Sequence, residues 1–87
     1  MTRLVAALQA LGLKGEIALA GHWLTLAGDR YTVYVAETTS GGVYCTWGQD
    51  PDARVVEFYR DPVEAIEAGL RRAAHAWRER DDGREET

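Results

Sequence analysis

The spacing of apolar residues changes twice along the chain. Leu4, Leu8 and Leu11 stand four and three apart, with Val5 and Ala7 beside them. That spacing is one apolar stripe on a helix. Thr2 is suited to cap its start, and Gly12 to end it in the left-handed conformation. Leu13 would then touch Leu8, the contact of a Schellman ending. From 16 to 59 the period falls to two. "EIALA" alternates weakly, and "HWLTLA" follows Gly21. "RYTVYVAE" is aromatic and β-branched, a strong strand. "VYCTW" and "RVVEFY" complete the set, with "GD", "TTSGG" and "GQDPDA" as turns between them.

The period then returns to that of a helix. Asp61 is an N-cap, Pro62 the first helical residue, and Glu64 completes a capping box. Val63, Ile66, Leu70, Ala73 or Ala74, and Trp77 form its stripe, which fades near Glu79 to Asp81. The order predicts an α+β fold: an N-terminal helix, an antiparallel meander of four or five short strands, and a long C-terminal helix. Both helices lie on one face of the sheet. One compact domain spans 1–80, and 81–87 reads as a disordered charged tail. The alternation assigns Leu24, Leu26, Val33, Val35, Cys45, Trp47, Val56 and Phe58 to the helix side. It assigns Thr32, Tyr34, Tyr44, Thr46 and Tyr59 to the outer side.

Composition narrows the function classes. The chain has 87 residues, 46% hydrophobic and 28% charged, which suits one small globular domain. No apolar run approaches the ~20 residues of a membrane span. Gln9 interrupts the N-terminal apolar stretch, which reads as a helix and not as a secretory signal. A single cysteine cannot form an internal disulfide, so a cytoplasmic location is expected. The formal charge is −4, but five acids fall within 79–87, leaving nine acids and eight bases in 1–78. The body therefore lacks the strong positive field of a sequence-independent nucleic-acid binder.

"SGGVYCTWGQDPD", from Ser40 to Asp52, is the stretch most suggestive of a chemical site. Its residues have simpler uses. Cys45 lies mid-strand, where a thiol packs like a small apolar residue. Asp50, Pro51 and Asp52 are turn residues. His22, His75 and Cys45 fall on three separate elements, so no metal set converges. Ser40 is the only serine, and no glycine-rich phosphate loop is present. The expectation is a protein without catalytic activity, metal or cofactor.

Two surfaces remain. Ala65, Gly69 and Ala73 are spaced by four on the second helix and form a ridge without bulk. A glycine inside a helix costs about 1 kcal/mol relative to alanine, so close packing should compensate. The partner is the rest of the domain, or a second copy in a homodimer. The other surface is the outer sheet face. Tyr34, Tyr44 and Tyr59, with Thr32 and Thr46, would form a binding patch, rimmed by Arg30, Arg54 and Arg60.

Three families share parts of this pattern. The helix–strands–helix order resembles a double-stranded-RNA-binding domain, although the helix start reads "DPVEAIEAG" and is acidic. "VYCTWGQ…VVEFYRDPVEAIEAGL" is similar to a WGR-type DNA-end-binding module, with Gln49 in place of that family's arginine. "YTVYVAETTSGGVYCTW…DPVEAIEAGLRRA" looks like the strand-turn-strand-helix of HicB-type antitoxins. None spans the whole chain, and none supplies a site residue. The sequence therefore points to a small interaction or regulatory protein, an adaptor, inhibitor or antitoxin-like module that binds a protein partner. The alternative is a nucleic-acid-binding module that stacks bases on the tyrosine face or uses Arg71, Arg72 and Arg78 on phosphates.

Overall fold

The structure is a computed structural model that describes residues 1–27, 32–48 and 56–85, with side chains described as far as Ala74. The first helix, α1, spans Arg3–Ala10. Its N-terminal cap is Thr2, whose Oγ1 accepts the Val5 N–H at 3.2 Å. Its end is a complete Schellman motif. Leu13 N–H donates to Leu8 O, Gly12 N–H donates to Gln9 O, and Gly12 takes φ +66°.

Strand β1, Glu16–Ala18, is shorter than the weak alternation predicts. Leu19, Ala20 and Gly21 leave it in a left-handed turn, with φ of 52°, 56° and 94°. Left-handed backbone costs a non-glycine residue roughly 1–2 kcal/mol, so the turn needs an anchor. Thr2 supplies it: the same hydroxyl that caps α1 donates to Gly21 O at 2.6 Å. A Cβ on Gly21 would lie 2.8 Å from that oxygen, which is why a glycine stands there.

Strands β2 (Trp23–Ala27), β3 (Thr32–Glu37), β4 (Tyr44–Gly48) and β5 (Glu57–Tyr59) follow. With β1 they form one antiparallel meander in sequence order. Helix α2 spans Pro62–Glu85. Asp61 caps it, its Oδ1 accepting the Val63 N–H at 3.0 Å. Its backbone runs past the expected fade at Glu79 to Asp81. The turn at Gly28-Asp29, the turn at Asp50-Pro51-Asp52, and Arg30 and Arg54 lie outside the described residues.

One core joins these elements. It takes Leu4, Ala7 and Leu8 from α1 and Ala65 and Ile66 from α2. From the sheet it takes Leu24, Leu26, Val33, Val35 and Tyr44, all on one face. Helix α2 packs across β3, β4 and β5, and α1 lies against α2 and β2.

The register of β3 on β4 corrects the expected sidedness of two strands. Val35 pairs with Thr46 and Glu37 with Tyr44, so odd-numbered residues of β3 share a face with even-numbered residues of β4. Strand β5 follows, with Tyr59 opposite Tyr44 and Glu57 opposite Thr46. Tyr44, Thr46 and Tyr59 therefore face the helices, and Cys45, Trp47 and Phe58 face outward. A shift of one residue reverses every side chain on a strand. Packing selects this phase. A Cβ on Gly69 would strike Thr46 Oγ1 and lie 2.7 Å from Val33 Cγ1. Where a threonine already fills the space, an indole at that position has no room.

The ridge of Ala65, Gly69 and Ala73 is thus occupied by the chain's own sheet. Ala65 and Gly69 are buried and Ala73 is half-buried. Replacing Gly69 with alanine should lower stability by about 1–3 kcal/mol through overpacking, despite the gain of about 1 kcal/mol in helix propensity. The Gly69→Ala, Thr46→Ala double variant should lose less than the sum of the two single losses, by about 1 kcal/mol or more. Urea unfolding of the four proteins measures this, and strict additivity would contradict the contact.

Candidate binding surface

No described element packs on the outer face of the sheet. Its positions form rows across the strands. One row runs Ala18, Trp23, Ala36, Cys45, Phe58; the next runs Glu16, Thr25, Tyr34, Trp47; Ala27 and Thr32 begin a third. Trp23, Tyr34 and Trp47 meet as a cluster. The Trp23 and Trp47 rings are edge-to-face, 5.0 Å apart with 79° between planes. Tyr34 stacks beside Trp47 at 5.5 Å and 25°, and Trp23 meets Tyr34 tilted at 5.9 Å. All three are half-buried, and Phe58 at the end of the first row is 63% exposed.

The polar atoms of this face are unevenly used. Trp23 Nε1 donates to Thr25 Oγ1 at 3.1 Å. Cys45 Sγ donates to Ala36 O at 3.4 Å and is half-buried. Tyr34 Oη and Trp47 Nε1 make no hydrogen bond to the described residues. The only charged residue among the described positions of the face is Glu16.

Of the five residues expected to bind, Tyr34 and Thr32 face outward and are half-buried. Tyr44 and Thr46 are 0% and 1% exposed. Thr46 Oγ1 is buried with no hydrogen-bond partner among the described residues, Tyr44 Oη is buried near the Glu37 carboxylate, and burial, with the Glu37 charge next, pushes the Tyr44 phenol pKa up. Tyr59 is half-buried on the helix side, its phenol also raised by desolvation first and by Glu57 second. Trp23, Trp47 and Phe58 take their place, and all three had been expected elsewhere or not assigned. The signal for them lay in the hairpin. Thr38 N–H donates to Val43 O, Gly41 N–H donates to Thr38 O, and Gly41 and Gly42 both have positive φ. That geometry spends 38–43 as loop and starts β4 at Tyr44 opposite Glu37. A loop with an odd number of residues would have given the opposite phase.

A second polar group lies at the same end of the sheet. His22 Nδ1 and Glu37 Oε1 are 2.6 Å apart, and Gly42 N–H donates to Glu37 Oε2 at 3.3 Å. Arg72 pairs with Glu57 at 3.4 Å on the helix side, and Arg71 and Arg60 are exposed. The side chains of His75 and Arg78 are outside the described set. Among the described residues, no group of three or more His, Cys, Asp or Glu side chains is placed to hold a metal. No helix among them is long and apolar enough to cross a membrane. No protein-family model, curated protein or solved structure matches this chain.

The His22 and Gly42 contacts hold the Glu37 carboxyl below its ordinary pKa of about 4.5. A carboxyl depressed on folding stabilises the folded state above its unfolded pKa, and that stabilisation is lost as pH falls through the folded value. Stability should therefore decline on acidification below about pH 4.5 more steeply in the wild type than in Glu37→Gln. Thermal melts of both proteins between pH 7 and 3 test this; parallel curves would contradict it.

Proposed function

We propose that this chain is a non-catalytic interaction module that holds a protein partner on the outer face of its sheet. The observation that supports this is the cluster of Trp23, Tyr34 and Trp47 on a face that no described element covers. Each large aromatic ring buries roughly 150–250 Å² when covered, and such rings dominate interface energetics. Aromatic residues are enriched, and charged residues depleted, at the centres of protein interfaces. The described rows of this face match that composition, with three clustered rings, an exposed Phe58 and one corner carboxylate. The single cysteine suits a reducing compartment, so the proposed setting is the cytoplasm.

Nucleic acid is the second reading, favoured by the Tyr34–Trp47 stack, since bases bind to aromatic platforms. Charge supports it less, with exposed Arg60 just beyond the end of β5. Affinity for nucleic acid depends on lysine and arginine placed on phosphates, and the described positions of this face carry neither.

Tyr34→Thr and Trp47→Thr together keep strand propensity while removing the rings. The tagged double variant should lose the proteins that the wild type captures from a lysate of its source, by about 30-fold or more in affinity for the principal partner, as for loss of an interface anchor. Its amide spectrum should stay dispersed, with melting lowered only by the lost ring contacts, about 0.5–1.5 kcal/mol per pair. Undiminished capture would refute the placement, and saturable amide shifts with short oligonucleotides at low salt would move the assignment to nucleic acid.

A further inference from the structure

We propose that the free edge of β1 pairs with the same edge of a second copy of this chain, antiparallel about a two-fold axis at Gly15, so that two sheets join into one. The proposal stands apart from the reading of the aromatic face. Strand β1 is the end strand of the sheet. One side of its backbone bonds β2, and the other side meets no strand among the described residues. Such an edge carries a row of unpaired N–H and C=O groups, and the group that satisfies such a row is another strand. Residues 12–20 are all exposed, with Leu13 at 36% and Ile17 at 51%. Ile17 stands opposite core residue Leu24, so it lies on the helix side of the sheet. Helix α1 packs on α2 and β2 and leaves this isoleucine half open.

Side-chain order selects a second copy and its register. Gly15 lies against Leu26, one step on from the Glu16–Thr25 pair; a Cβ there would be 2.6 Å from Leu26 Cδ2. The edge therefore continues past Glu16 toward α1. At its other end it stops at Ala18, because Leu19 and Ala20 have left-handed backbone. A two-fold axis at Gly15 sets Leu13 of each copy opposite Ile17 of the other, and Lys14 of each opposite Glu16 of the other. Alternate residues share a face, so the apolar pairs fall on the helix side and the charged pairs on the outer side. Opposite charges stabilise a cross-strand pair, and like charges destabilise it. Lys14 and Glu16 have no ion pair among the described residues, so both are open to this use. Other registers fit less well. An axis at Glu16 opposes the two Glu16 carboxylates. An axis at Ile17 needs Leu19 and Ala20 to extend the pairing, against their left-handed backbone. The paired edge is short, so the association belongs to the weak, transient class.

The experiment is sedimentation equilibrium of the full chain at low salt, from about 10 µM to about 1 mM, a range that reaches weak interfaces. Amide hydrogen exchange at the two ends of that range locates the contact. The expected result is a monomer–dimer equilibrium, with amides of 14–18 gaining protection at high concentration. Lys14→Glu and Glu16→Lys should each weaken the dimer about tenfold, since each turns both charged pairs into like-charge pairs. Combining the two exchanges should restore association to within about threefold of wild type. Ile17→Glu replaces an exposed side chain, so the amide spectrum should stay dispersed, while the dimer is lost because pairing would bury the carboxylate without a partner. A monomer at every concentration, a dimer indifferent to Ile17→Glu, or a double exchange no stronger than the single ones would overturn the inference. None of these outcomes bears on partner capture by Tyr34 and Trp47, which is read separately.

Discussion

Helix α2 crosses β3 and β4 at Gly69, where there is no room for a side chain. Its missing side chain lets the helix backbone come down onto Thr46 and Val33, with one Cα–H directed at Thr46 Oγ1. The rest of the structure follows from this approach. Thr46 must face the helix there, which sets the phase of β4. The phase of β4 sets that of β5 through the Tyr44–Tyr59 and Thr46–Glu57 pairs. The cost is visible as well. Thr46 Oγ1 is buried without a hydrogen-bond partner among the described residues, a penalty on the order of 1–3 kcal/mol.

The aromatic outer face is the other side of the same constraint. With Thr46 and Tyr44 inward, Cys45 and Trp47 have only the open face left. There Trp47 finds Tyr34 directly opposite and Trp23 beside it. The contacts among these rings contribute some stability of their own, about 0.5–1.5 kcal/mol per pair. They leave much of the ring surface half-covered, and that remaining area is what a partner can bury. The core and the candidate site are therefore not independent designs. One register produces both.

A second constraint operates at the other end of the sheet. The Thr2 hydroxyl caps α1 and also holds Gly21 O, so the helix start and the left-handed turn are anchored by one group. That turn delivers His22 to Glu37 and aligns Trp23 at the start of β2. The order of the N-terminal third thus reaches the aromatic face through a short, strained piece of backbone.

Much of this was legible along the chain, because local physical chemistry decided it. The two helix starts at Thr2 and Asp61, the Schellman ending at Gly12, the strands and the meander order rest on caps, glycines and apolar spacing within a few residues of one another. Val33, Val35, Leu24 and Leu26 were also assignable to the core, since β2 and β3 carry unambiguous alternation. Tyr44, Thr46 and Tyr59 were not, because "VYCTW" and "EFY" are apolar or aromatic at nearly every position. Either face of such a strand satisfies the hydrophobic pattern. The six-residue hairpin, whose loop length composition alone does not fix, and the depth of the Gly69 contact with Thr46 and Val33, residues far away in sequence, choose between them. Alternation tells a strand that it has two faces; the neighbour packed against it decides which face is the inside.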